Sequence, residues 1–343
     1  MPQSPIDAAY RRRLRQAVFP DVEGSAPDQG WPAAVAGLVL EAGPRLLVLA
    51  TNDGHEVRVA VSEKTSVWYA GAAATSALQP GRRAIVRPAA PRPSAGGLAS
   101  TGSSAGDPAD DGPVAGEVTA AGSATGAMTA DRIWLDIVRA NGVIVDRGRA
   151  TVEIDEGPHR GRTHVVIPAN VLSHILVRHP HFEPGYLFDV IGIRAADGHG
   201  VVAVRPGAPQ PDYPADQVPK RRPVWPVPHE FAGTATWFSA PGRQVAYPAI
   251  DPSGGGCQAP PNGCATLPYL SLGSELVIRN ECTGRTATMP VTQCGCTAAR
   301  FCDRCVTCGT SPRGRIVELS PASFVDLGGD LDEGCFNVTV RVG

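Results

Sequence analysis

The chain has 343 residues, 43% of them hydrophobic, and its 31 Lys+Arg against 33 Asp+Glu leave a net charge of −2. That length exceeds one ordinary domain and predicts two or three packed cores. The balanced charge, with no dense basic stripe, argues against a nucleic-acid partner, and no apolar run reaches the roughly 18–20 residues of a membrane-spanning helix.

Thirty-nine glycines, 33 prolines and only 6% aromatics favour short strands joined by turns, so an all-β chain is expected. Residues 1–30 read as an N-terminal arm. Arg11 to Arg13 form a basic cluster, but no apolar stretch or small-residue cleavage site follows it, so no export signal is visible. From Gly37 a strand pattern begins, with a turn at Gly43-Pro44, a hairpin signal at Asn52-Asp53-Gly54 and a further strand after Pro80-Gly81. Residues 31–140 are therefore read as a first small β-barrel or sandwich, interrupted over 88–113 by a Pro-, Gly-, Ser- and Ala-rich insert expected to be disordered.

The same layout recurs over 141–205. Gly37 to Gly81 spans 44 residues and Gly142 to Gly185 spans 43, each second glycine following a proline. This predicts an internal duplication of small barrels, and in rhythm both copies resemble small bacterial β-barrel domains that are often repeated and have no assigned activity. The histidine cluster His174, His179 and His181 lacks the carboxylates and spacing of a zinc enzyme and is read as a surface loop. Residues 206–230 hold eight prolines in 25 positions, an extended spacer before a last domain.

In 231–343, period-two alternation marks the strands GSELVIRN and NVTVRVG, and Thr283-Gly284 marks a tight turn. Ser320-Pro321 reads as an N-cap and first helical position, opening a short helix that stops at Gly328-Gly329. Three blocks in this order, Gly233 to Phe238, Leu272-Gly273-Ser274 with Thr283-Gly284-Arg285, and Gly314 to Ser320, resemble the double-psi β-barrel of rare lipoprotein A-like proteins, and more distantly the first domain of expansins and family-45 endoglucanases. The resemblance covers the last third of the chain. It implies a six-stranded barrel directed at peptidoglycan or a related polysaccharide.

The family's groove commonly carries two aspartates. Gln293 stands where the first is expected, and the second corresponds to Glu318. An amide cannot activate water, so hydrolysis by a carboxylate pair is not expected. A lytic transglycosylase needs a single acid/base carboxyl, which Glu318 could supply, with Asp303 as a second candidate. Gln293, Trp237, Tyr269 and Arg315 are the expected substrate-binding residues, the aromatics because their faces stack on sugar rings.

All nine cysteines, Cys257, Cys264, Cys282, Cys294, Cys296, Cys302, Cys305, Cys308 and Cys335, fall within 79 residues. Cys302, Cys305 and Cys308 have the spacing that starts an iron–sulfur run, but the fourth ligand is missing, and the paired knuckles of a zinc site are absent. Disulfides are the favoured reading and no metal or cofactor is expected, while an odd count leaves one cysteine for a free thiol or a second chain.

These readings combine as an extracellular or wall-associated, all-β protein: two small barrels followed by a disulfide-rich double-psi barrel. A cell-wall glycan or other polysaccharide is the expected partner, bound rather than cleaved. A lytic transglycosylase using Glu318 and a self-assembling structural subunit are the alternatives.

Overall fold

The computed structural model is all-β and describes residues 33–90, 128–178, 182–211, 229–251, 267–295, 297–303 and 313–343. The N-terminal arm, most of the 88–113 insert, most of the Pro-rich spacer, and Cys257, Cys264, Cys296, Cys305, Cys308, His179 and His181 lie outside the described residues.

The first barrel comprises β1 (Val35–Ala42), β2 (Leu46–Thr51), β3 (Glu56–Ala60), β4 (Ser66–Tyr69), β5 (Ala72–Ala73), β6 (Arg83–Pro88) and β7 (Met128–Leu135). The first three strands form an antiparallel meander, and β6 returns to pair with β1. The last strand, β7, runs antiparallel to β6 and parallel to β3, which closes the sheet.

The second barrel repeats this closure. Its strands are β8 (Ile137–Arg147), β9 (Thr151–Asp155), β10 (Arg162–Val166), β11 (Tyr186–Arg194), β12 (Gly200–Pro206) and the short β13 (Gln210–Pro211), with helix α1 (Ala169–Arg178) between β10 and β11. Strands β8, β9 and β10 form the meander, β11 pairs with β8, and β12 joins β11 antiparallel and β10 parallel. A five-stranded Greek-key barrel closed in this order has the topology of the OB fold.

Two pairs of glycines mark the correspondence. A Cβ on Gly37 would lie 2.5 Å from the Ala50 carbonyl oxygen, and one on Gly142 2.0 Å from that of Asp155, so each first strand crosses its meander too closely for a side chain. Gly81 and Gly185, both at positive φ, donate their N–H groups to the carbonyls of Val39 and Ile144 at 2.8 Å. These are the glycines whose spacing suggested a duplication.

Only Asp136 separates β7 from β8, and β13 extends the second sheet to Pro211. A turn of one residue is possible because Asp136 adopts φ 50°, with its carboxylate held by Arg82 Nη1 at 2.7 Å and the Arg83 N–H at 2.9 Å.

The C-terminal sheet contains β14 (Glu230–Trp237), β15 (Val245–Tyr247), β16 (Glu275–Asn280), β17 (Thr286–Pro290), β18 (Gln293–Cys294), β19 (Cys302–Asp303), β20 (Arg313–Leu319) and β21 (Cys335–Val342). Its path, β17-β16-β21-β14-β20-β15-β18 with β19 on β20, makes an eight-stranded sheet in which β15, β18 and β19 are short pairings of two or three residues. Helix α2 (Pro321–Asp326) starts at the predicted proline. Ser320 does not cap it through its side chain: the hydroxyl donates instead to Ser323 Oγ at 3.0 Å and accepts the Gln244 N–H at 3.1 Å.

The largest hydrophobic core belongs to this sheet and runs on into Trp68 and Trp134 of the first barrel and Ile137 and Ile191 of the second. The loop after α2 joins all three modules. Its Asp332 accepts two bonds from Arg132 and one from Trp134 Nε1, at 2.8–2.9 Å, while the Gly334 carbonyl accepts from Arg139 Nη1 at 2.6 Å.

Candidate functional site at the barrel join

The hairpin loop between β9 and β10, Glu156-Gly-Pro-His-Arg-Gly161, points at the C-terminal barrel. Gly157 and Gly161 take φ of 94° and 78°, which only glycine adopts readily. The N–H groups of Arg160 and Gly161 both donate to the Gly157 carbonyl, and that of Glu156 donates to Gly161. A loop closed on itself in this way fixes where Arg160 reaches.

Arg160 reaches Glu318. Its Nη2 donates to Glu318 Oε2 at 2.6 Å, and its guanidinium carbon lies 4.3 Å from the centre of the Phe238 ring. The other carboxylate oxygen, Oε1, accepts from Asn141 Nδ2 at 2.9 Å. Glu318 is 0% exposed. Burial alone would raise its pKa, but the charges of Arg160 and Arg315 outweigh burial and hold the carboxyl below its usual range.

Below it lies a second buried acid. Asp189, on β11, accepts from Arg139 Nε at 2.8 Å and Nη2 at 2.5 Å, and from Arg315 Nη2 at 2.7 Å. Burial pushes this carboxyl up, yet Arg139 and Arg315 together bring it down to about 2. Three arginines and two carboxylates thus form one chain of charges across the join, in which each acid is supplied by one barrel and at least one of its cations by the other.

Beside this network opens a cleft of about 430 Å³, within the ~300–1,000 Å³ common for small-ligand sites. From the second barrel it is lined by Arg139, Glu156, His159, Arg160, Arg194 and His199. From the C-terminal barrel it is lined by Phe238, Ser239, Gln244 and Gln293. Glu156 accepts hydrogen bonds from the Thr163 hydroxyl and, at 3.3 Å, from the Asn141 N–H. Burial raises its pKa despite those bonds, and nearby Glu318 adds to the rise.

Of the expected substrate-binding residues, the structure brings Gln293 to the cleft, where its Nε2 donates to Gln244 Oε1 at 3.4 Å. Glu318 lies beneath the cleft with its side chain enclosed, Oε1 on Asn141 Nδ2 and Oε2 on Arg160 Nη2. Trp237 is likewise core, 0% exposed with Nε1 donating to the Leu331 carbonyl at 2.9 Å, so it offers no stacking face. Arg315 is 1% exposed, lies 4.1 Å over the Phe301 ring and serves Asp189. Tyr269 is half-exposed but does not line the cleft. The backbone of Asp303 pairs with Arg313; its side chain lies outside the described residues. Cys282 and Cys294 are disulfide-bonded.

Asn141, Glu156, Arg160 and Asp189 were not singled out from sequence. Their signal was nevertheless present: Asp189 interrupts the apolar strand YLFDVIGI, and Arg139 and Asn141 interrupt IVRANGVIV, while polar groups in such runs require partners.

No protein-family model matches the chain, and a search of curated proteins finds none that matches it.

Proposed function

We propose that this is an extracellular, glycan-directed binding protein, directed at the cell wall, whose C-terminal barrel is related to the rare lipoprotein A-like double-psi barrels and which holds its ligand without cleaving it. One observation carries this reading. The carboxyl that would have to protonate a glycosidic oxygen, Glu318, is enclosed and kept ionised by Arg160 and Arg315, whereas the polar cleft beside it is open and contains Gln293. General acid catalysis requires a proton and contact with the leaving oxygen. Glu318 offers neither.

What remains suits binding. Amide side chains at Gln244 and Gln293 present donors and acceptors to sugar hydroxyls. The density of cysteines, with Cys282 and Cys294 disulfide-bonded, supports an oxidising, extracellular setting.

The test is incubation of the full chain with insoluble peptidoglycan, followed by sedimentation and mass spectrometry of the supernatant. Co-sedimentation without soluble fragments is expected, weakened about tenfold in the double variant Gln244→Ala/Gln293→Ala, since lost polar contacts are each worth about 0.5–1.5 kcal/mol. Anhydro-sugar products in the supernatant would establish a transglycosylase and overturn the reading.

A further inference from the structure

We infer that the outer face of the first barrel, over β1 and β2, is a docking site for the chain's own residues 5–19, folded as an amphipathic helix. The glycan-binding cleft plays no part in it.

Strand β2 is apolar on both sides. Leu47 and Leu49 enter the barrel core, which turns Leu46, Val48 and Ala50 outward. On β1, Val39 faces that core while Leu38 and Leu40 lie outside it, and Leu38 pairs with Ala50. Leu38, Leu40 and Leu46 are 42%, 37% and 40% exposed, three of the six large hydrophobics exposed among the described residues.

The duplicated barrel shows that the fold does not demand such a face. Ala50 and Asp155 are the residues whose carbonyls meet the crossing glycines Gly37 and Gly142. Counted from them, Leu46, Val48 and Ala50 correspond to Thr151, Glu153 and Asp155 of β9. There the usual alternation holds, with Val152 and Ile154 in the core and polar residues outside. A strand that is apolar on both sides belongs where both sides are covered.

The covering element is supplied by the same chain. Residues 1–32 lie just upstream of β1, and within them Ile6, Tyr10, Leu14, Ala17 and Val18 recur at helical spacings of three and four. Arg11 and Arg13 flank this stripe, and Arg12 and Arg15 face away from it. Ser4-Pro5-Ile6-Asp7 has the N-cap, first-position proline and third-position acid of a helix start, and Pro20 marks its end. A lone helix of about 15 residues is marginal in water, so it needs a surface for its apolar stripe.

The dimensions agree. Residues 5–19 as a helix span about 22 Å, and the six-residue β2 spans about 20 Å. Residues 20–32 reach up to about 43 Å when extended, enough to return the helix over β1 and β2. So short a tether gives an effective concentration of about a millimolar, which favours this helix over a second copy of the chain.

Amide hydrogen exchange of the full chain, read by mass spectrometry, tests the docking. Peptides covering residues 5–19 are expected to exchange about tenfold slower in the parent than in Leu14→Asp, Leu40→Asp or Leu38→Asp, with the double variant Leu14→Asp/Leu40→Asp no faster than either single one. Leu14→Asp changes the helix without touching the barrel, so its effect does not depend on the barrel tolerating a substitution. Leu176→Asp, at an equally exposed leucine of the second barrel, should leave the protection intact.

Unprotected exchange of residues 5–19 in the parent chain would overturn the inference. So would protection that survives both Leu38→Asp and Leu40→Asp, which would place the helix elsewhere, or protection lost equally in Leu176→Asp. Protection that disappears on dilution would also overturn it, because the face would then be covered by another copy of the chain.

Discussion

The β2–β3 hairpin of the first barrel and the β9–β10 hairpin of the second occupy the same place in the same strand order, yet one ends in water and the other against a neighbouring barrel. At the first tip, the side chains of Asp53 and His55 are 55% and 80% exposed. At the second, Arg160 is 13% exposed and contacts a carboxylate that is 0% exposed. The scaffold does not decide between these fates. Loop chemistry does: the second hairpin is longer, is bracketed by two glycines at positive φ, and carries the cation Arg160, whereas the first carries Asp53. A repeated fold has thus yielded one solvated hairpin and one that occupies the neighbour's acidic groove.

The sharpest way to break this comparison is to remove the charge that the second hairpin meets. Glu318→Gln preserves shape but removes the carboxylate that Arg160 meets, while Arg139 and Arg315 keep Asp189. Breaking a buried pair typically costs about 3–5 kcal/mol. That loss is expected in urea unfolding followed by tryptophan fluorescence. A loss below about 1 kcal/mol would mean that Arg160 rests on the groove without anchoring there.

How much of this could be read in the sequence follows from what each contact depends on. The duplicated glycines were legible because a close strand crossing and a positive-φ turn leave local marks. Gln293 was placed at a groove only by the resemblance to a family whose groove carries an aspartate there, not by a local pattern. The enclosure of Glu318 was not legible, since its partners Asn141 and Arg160 lie 177 and 158 residues away and belong to a module with no apparent claim on that groove. Trp237 was ambiguous for a related reason: an aromatic on an opening strand has the same local pattern whether it packs inward or stacks on a ligand. Buried charge within apolar strands, at Arg139 and Asp189, was the available clue that the second barrel had a charged partner.

The two joins to the C-terminal barrel should also differ in their response to pH. At the second barrel, Asp189 is buried yet held down to about 2 by Arg139 and Arg315. A depressed carboxyl contributes stability that is fully present above its unfolded pKa, near 4, and is lost as pH falls through about 2. At the first barrel, burial and the neighbouring Asp332 push Asp330 up to about 7. Its sign is opposite: the contribution is fully present below about 4 and disappears as pH rises through 7. Urea unfolding between pH 4 and 8 should therefore show a decline that Asp330→Asn flattens. Unfolding below pH 4 should show a separate decline, flattened by Asp189→Asn from a lower starting stability. Identical pH profiles for Asp330→Asn and the parent chain would sink the assignment.

The smallest expected effect separates backbone strain from docking. Gly54 and Gly161 hold equivalent corners of the two hairpins at φ 86° and 78°, and an added Cβ would meet nothing within 4 Å at either. Alanine at each should therefore cost the same conformational penalty, about 1–2 kcal/mol for a left-handed backbone. If the second hairpin were as independent of its surroundings as the first, the two variants would be indistinguishable. Because Gly161 closes the loop that aims Arg160, Gly161→Ala should also loosen the grip on Glu318, seen as faster amide exchange at Asn141 and Glu318 than in Gly54→Ala. Equal exchange in the two variants would show that the Arg160 contact survives without its loop geometry, and that the ion pair alone, not the hairpin's shape, holds the second barrel in the groove.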